Sequence, residues 1–135
     1  MASQFPTDLD TAISGPDGDL PREFAHELVR QLGATQVDDK KMTDDERVSR
    51  WESARQALMS FVPSEPVEAM LAAQAVAAHT AAMECIRRSM ITFESESTCV
   101  RLRANAASLM RSFNATLRQL ERHRGWAAGT RTYRD

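Results

Sequence analysis

Apolar residues recur at alternating steps of three and four along two neighbouring stretches in the second half of the chain. The first track contains Ala69, Ala72, Val76, His79, Met83, Ile86, Met90 and Phe93, and the second contains Cys99, Leu102, Ala106, Leu109, Phe113, Thr116, Leu120 and His123. This spacing places each track on one side of an α-helix, as in a coiled coil. Only residues 94–97 separate the tracks, so the two helices can fold back on each other. We therefore predict an antiparallel αα-hairpin with helices over about 64–93 and 98–124.

Two shorter helices are predicted ahead of the hairpin. The first begins at an Asp19 cap and ends at Gly33, a residue that commonly stops helices. The second opens with the capping box that starts at Thr43 and ends at Pro63, after which Ser64 caps the third helix. The predicted buried sides are Phe24, Leu28 and Leu32 in the first helix, and Val48, Trp51, Leu58 and Val62 in the second.

These elements predict an all-α fold, a small helical bundle dominated by the long hairpin. A chain of 135 residues is long enough for one domain with a modest core. Residues 1–18 combine Pro, Gly and Asp without periodicity, which indicates a flexible acidic lead-in. We predict a single helical domain over 19–125, followed by a basic and aromatic tail over 126–135.

Charge is distributed unevenly along the chain, although the net charge is only −2. Residues 1–86 carry 7 Lys/Arg against 15 Asp/Glu, a net −8, whereas residues 87–135 carry 10 Arg against 4 acids, a net +6. All the cations of the second segment are Arg. This polarity fits an anionic partner for the Arg-rich end, pairing within the chain, or attraction between copies.

The arginines of the last predicted helix form the most specific pattern. Arg111, Arg118 and Arg122 follow steps of seven and four, which places them on its outer side. The predicted nucleic-acid-binding set is Arg101, Arg103, Arg111, Arg118, Arg122, Arg124 and Arg131, with Trp126 and Tyr133. Arginine binds phosphate through paired hydrogen bonds, and aromatic rings stack on bases. The alternative is an ordinary solvated face that pairs with the acidic half or with another protein.

Catalytic and metal chemistry find little support in the sequence. His79 and His123 fall near different ends of the hairpin, and the single Glu23–His26 spacing is half of what a di-iron site needs. Cys85 and Cys99 are offset by about 9 Å along the hairpin axis, beyond disulfide reach, so we expect reduced thiols. No nucleophile motif or phosphate-binding Gly loop occurs. We therefore expect no catalytic residue, no metal and no cofactor.

The first helix is too short to cover one side of the hairpin, so either the bundle is small and lopsided or a second copy completes it. We expect the second outcome, a homo-oligomer. The expected contact between copies is the small-residue flank formed by Ala73, Ala77 and Ala81. The least polar stretch, 69–83, is short for a bilayer, and no secretory signal is evident, so a cytoplasmic protein without membrane contact is expected.

A resemblance adds an indication of origin. It rests on Met70-Leu71-Ala72-Ala73-Gln74, on His79 with Ala81-Ala82-Met83-Glu84-Cys85 and Arg87-Arg88, and on Leu120 with Arg122-His123-Arg124-Gly125. Over about residues 68–125 the chain resembles a group of small helical proteins from α-proteobacteria, many associated with mobile or phage-derived DNA. That group has no established activity to carry over, and its Lys-rich tail is replaced here by residues 126–135.

The function expected from these features is that of a non-enzymatic helical assembly protein that presents an Arg-rich face. Phage-type DNA handling or packaging is the sharpest version, by architectural analogy with small terminase subunits. The alternative is a protein–protein adaptor or regulatory module that does not bind nucleic acid.

Overall fold

Helices account for nearly all of the chain that can be described. A computed structural model describes residues 20–35, 41–91 and 94–132, with the backbone alone for 126–132. The helices are α1 (Arg22–Ala34), α2 (Asp44–Ser60), α3 (Pro66–Ser89) and α4 (Glu96–Thr132), and these described residues contain no strand. The predicted all-α class, with a long antiparallel helix pair in close contact, is confirmed. The predicted lead-in over 1–18 and the Asp19 cap lie outside the described residues.

Packing divides the chain into two compact units, Met1–Met70 and Leu71–Asp135. The first unit contains α1, α2 and the first residues of α3. The second contains the rest of α3 and all of α4, which together form the hairpin. The assignment of residues 19–125 to one domain stays a prediction.

In the first unit, α1 packs against α2. Leu28 and Leu32 are buried as predicted. Gly33 does not end the helix as predicted, because α1 continues to Ala34 and Thr35 follows as its C-cap. A β-carbon placed on Gly33 would overlap the indole of Trp51. Glycine is therefore required at this position by the close approach of an aromatic ring, not by a turn of the backbone.

The capping box of α2 is present as predicted. The Thr43 hydroxyl accepts from the Glu46 N–H at 3.2 Å, and the Glu46 carboxylate accepts from the Thr43 N–H at 3.1 Å.

The buried side of α2 differs from the prediction. Val48 and Val62 are 55% and 75% exposed, whereas Leu58 is buried as predicted and Ala54 is buried in addition. The buried line of α2 runs through Ala54, one turn after Trp51. Val62 follows the helix at φ 49°, a left-handed conformation that a β-branched residue adopts only with strain.

The start of α3 is capped by Glu65, where the prediction placed Ser64. The Glu65 carboxylate accepts from the Glu68 N–H at 3.1 Å, which satisfies one of the free donors at the helix start. Ser64 instead donates its N–H and its hydroxyl to the Glu68 carboxylate, at 3.1 and 3.2 Å. Pro66 is the first helical residue, where a missing N–H costs nothing.

In the hairpin, the track predicted for α4 is confirmed in full. None of its eight residues is exposed, and Leu102, Ala106 and Leu120 are each less than one-tenth exposed. The rings of His79 and Phe113 lie 5.7 Å apart, centre to centre, which fixes the level at which α3 and α4 meet. His79 belongs to the track predicted for α3 and Phe113 to the track predicted for α4, so this contact joins the two predicted tracks.

The track predicted for α3 is correct in its first half only. Ala69, Ala72 and Val76 are buried. Met83 and Met90 are 42% and 75% exposed, and His79 is exposed as well. The buried line shifts to the neighbouring residues Ala75, Ala82 and Ser89. Small side chains let two helix axes approach closely, and the longer methionines are left at the flank. Phe93 lies outside the described residues.

The hairpin helices also end at different residues from those predicted. Helix α3 ends at Ser89, and α4 begins at Glu96, where the Ser95 hydroxyl accepts from the Thr98 N–H at 3.2 Å. The prediction that α4 ends at about residue 124, just before Gly125, is wrong, since the helix continues to Thr132. Gly125 does not have a positive φ, so it occupies an ordinary helical position. A helical glycine costs only about 1 kcal/mol, which the surrounding residues can offset.

Helix α3 is long and apolar enough to cross a bilayer, judged by length and composition alone. It has 24 residues, and its most apolar window has a mean hydropathy of 1.2 and is 33% buried. The sequence-based estimate was shorter because it stopped at Met83. Core helices of water-soluble proteins pass the same test, so this feature is weak evidence for membrane insertion.

Candidate functional site

Three arginines form a straight row on α4. At about 100° per residue, Arg118 and Arg122 lie within about 20° of Arg111 around the helix axis. All three side chains are exposed. The buried residues Leu102 and Leu120 lie about 180° away, so the row points directly opposite the packed side of the helix. We call Arg111, Arg118 and Arg122 the outer row.

The outer row has no carboxylate partner within the described part of the chain. Elsewhere, three arginines each pair with a glutamate three residues earlier. These pairs are Arg30–Glu27 at 2.6 Å, Arg55–Glu52 at 2.5 Å and Arg87–Glu84 at 2.7 Å. The outer-row positions lack a glutamate three or four residues earlier. The sequence-based prediction did not use the Glu-x-x-Arg spacing of these pairs. That spacing alone is not decisive, because Glu121 has no ion-pair partner among the described residues although Arg124 follows it by three residues.

The paired arginines show what an ion pair does to these groups. The hydrogen bond from Arg30, followed by that from Gln31, lowers the pKa of the Glu27 carboxyl to about 2. The hydrogen bond from Arg55 likewise lowers the pKa of Glu52. The hydrogen bond to Glu84 raises the pKa of Arg87. Each of these three guanidinium groups binds a carboxylate of its own helix, whereas the guanidinium groups of the outer row can bind an external anion.

The other predicted binding residues divide into three groups. Arg101 and Arg103 are exposed but flank the outer row, at about 80° to either side of Arg111. Arg124 is half-buried and lies on another side of the helix. The side chains of Trp126 and Arg131, and the whole of Tyr133, lie outside the described residues. The structure thus brings three of the predicted arginines together, with two at the margins.

The predicted contact between copies is only partly open. Ala73 is 8% exposed, Ala77 is half-buried and Ala81 is exposed. Ala81 alone therefore offers a fully open surface on this flank.

His79, Cys85 and Cys99 lie in the hairpin helices, and His26 lies in α1. His79 packs beside Phe113, and Glu23 and His26 line a shallow, open cleft on α1. Cys85 and Cys99 are both free and half-buried, in agreement with the predicted thiol state.

Comparison with known proteins identifies no relative of this chain. No family model, no curated protein and no solved structure matches it. The function of the chain is therefore inferred from the hairpin and its charges.

Proposed function

We propose that this chain is a non-enzymatic helical protein that binds nucleic acid through the outer row of α4. The observation that supports the proposal is the row itself: Arg111, Arg118 and Arg122 are exposed, aligned opposite the core, and unpaired among the described residues. Three aligned guanidiniums without partners repel one another, and no ion pair within the described residues accounts for their alignment. An external anion would relieve that repulsion.

The spacing of the row favours a long polyanion over a small one. Along the axis, Arg111 and Arg118 are separated by about 10.5 Å, and Arg118 and Arg122 by about 6 Å, at 1.5 Å per residue. A single phosphate or carboxylate needs donors that converge on one point, and these donors lie too far apart for that. A strand that repeats a phosphate every few ångströms can meet each arginine in turn.

The composition of α4 agrees with this proposal. The helix contains seven arginines and only two glutamates, Glu96 and Glu121. Contacts of this kind position a protein on the phosphate backbone and carry no sequence information by themselves. We therefore propose sequence-independent binding, within the handling of mobile or phage-type DNA that the resemblance implies. Packaging is the sharpest form of this proposal.

The test is a binding titration with fluorescently labelled duplex and single-stranded DNA at low salt. The wild-type chain should bind, and the variant R111Q/R118Q/R122Q should bind more weakly, because glutamine keeps helix propensity but removes the charge. Absence of wild-type binding to both DNA forms would refute the proposal. Polyglutamate serves as the competing ligand: preference for it over DNA would favour the protein–protein adaptor instead.

A further inference from the structure

A second surface lies on α4, to one side of the outer row. It consists of Arg103, Ala107, Met110, Asn114, Leu117 and Glu121, at steps of four, three, four, three and four. Such steps place six residues on one stripe, centred about 80° from Arg111. Leu117 is half-buried and the other five are exposed, with Met110 at 38%. We call these six residues the side track.

The side track has opposite charges at its two ends. Arg103 and Glu121 occupy the same angular position, and 18 residues separate them, or about 27 Å along the axis. Neither has an ion-pair partner in the part of the chain that the structure describes. Glu121 stays unpaired although Arg118 and Arg124 each lie three residues away. Four residues lie between the charged ends: the apolar Met110 and Leu117, the small Ala107 and the amide Asn114.

This order of residues is complementary to itself when it is reversed. If two copies of α4 lie antiparallel about a two-fold axis near residue 112, Arg103 of each copy faces Glu121 of the other. Ala107 then faces Leu117, and Met110 faces Asn114. The small alanine gives room for the leucine, and the flexible methionine can adapt to the amide. A parallel arrangement would place like charges together, which disfavours it.

We propose that the side track is the interface of a symmetric homodimer in which two α4 helices pack antiparallel. The two-fold axis gives two equivalent Arg103–Glu121 ion pairs, one at each end of the contact. Charged residues at the ends of a helical interface set the orientation and register of the partners. The dimer proposal does not rest on nucleic-acid binding, because the side track and the outer row share no residue.

The test is the mass of the full chain in solution, measured by analytical ultracentrifugation over a range of micromolar concentrations. The wild type should approach twice 15.1 kDa, the mass of one chain. The variants R103E and E121R should each raise the dimer dissociation constant about tenfold or more, since attraction becomes repulsion at both ends. The double variant R103E/E121R should restore the dimer, because both pairs re-form with exchanged signs.

Three controls separate this proposal from the alternatives. Circular dichroism should show unchanged helix content in every variant, since all the exchanged residues are exposed. R111E, in the outer row, should leave the mass unchanged while it weakens DNA binding, so the two proposals can fail independently. A wild type that stays monomeric, or a double variant that stays dissociated, would overturn the proposed interface. Dissociation by Ala81→Glu but not by R103E would assign the contact to the alanine flank instead.

Discussion

Two glycines within helices of this chain have opposite surroundings. Gly33 of α1 has the Trp51 indole where a β-carbon would be, whereas a β-carbon on Gly125 of α4 would have nothing within 4 Å. Neither has a positive φ, so neither is needed for a turn. Glycine thus permits close packing in α1, whereas in α4 it only lowers the stability of the helix.

Alanine at these two positions should therefore change stability in opposite directions. Gly33→Ala should lower the free energy of unfolding by about 1–3 kcal/mol, because the new methyl group overlaps the indole. Gly125→Ala should raise it by about 0.5–1 kcal/mol, because alanine loses less backbone entropy in a helix. Urea denaturation monitored by circular dichroism measures both. Stabilisation by Gly33→Ala would show that the indole moves away freely.

The Glu27–Arg30 pair gives a prediction about pH. The hydrogen bond from Arg30 lowers the pKa of the Glu27 carboxyl from 4.5 to about 2 in the folded chain. A carboxyl with a lowered folded pKa contributes stability above its unfolded pKa and loses it as the pH falls toward the folded value. This contribution should therefore disappear between about pH 4.5 and pH 2. In Arg30→Gln, an NMR titration should return the Glu27 pKa toward 4.5. An unchanged low value would mean that Gln31 or another group holds the carboxylate.

At the scale of elements, apolar periodicity predicted α4 better than α3. Leucine and phenylalanine mark the buried side of α4 clearly, so the whole track was found. In α3 the periodic signal is ambiguous, because alanine is abundant and fits either a buried or an exposed position. The burial of Ala82 in place of Met83, and of Ala75 beside Val76, therefore could not be chosen from sequence alone. Close approach between helices, as at Gly33 and Trp51, likewise depends on tertiary packing.

The two hairpin helices should respond differently to truncation of an apolar side chain. Leu120 is 3% exposed, so Leu120→Ala should lower the free energy of unfolding by about 2–5 kcal/mol. Met83 is 42% exposed, so Met83→Ala should cost under about 1 kcal/mol. Thermal or urea unfolding of both variants tests this. Equal losses would indicate that Met83 becomes buried in solution, for example against a second copy.

At the scale of the whole molecule, the central feature is the separation of charge. A chain of net charge −2 binds a polyanion only if its positive charges are concentrated on one surface. Arg30, Arg55 and Arg87 each pair with a glutamate of their own helix. No described glutamate pairs with the outer row, although Glu121 lies three residues after Arg118. This division was only half visible in the sequence: the row itself could be predicted, but its freedom from ion pairs became clear from the structure.

The most direct test of the account is the salt dependence of DNA affinity in two matched triple variants. One variant replaces the outer row, as R111Q/R118Q/R122Q, and the other replaces the paired arginines, as R30Q/R55Q/R87Q. Each removes three positive charges, so both have the same net charge. Every phosphate contact contributes about 0.9 to the slope of log affinity against log salt on duplex DNA.

We predict that the outer-row variant binds more weakly, with a slope reduced by up to about 2.7 for three lost contacts. The paired-arginine variant should retain nearly the wild-type slope, because its missing charges were already neutralised by neighbouring glutamates. Equal loss of affinity and slope in both variants would contradict the account, since binding would then follow net charge and not the outer row.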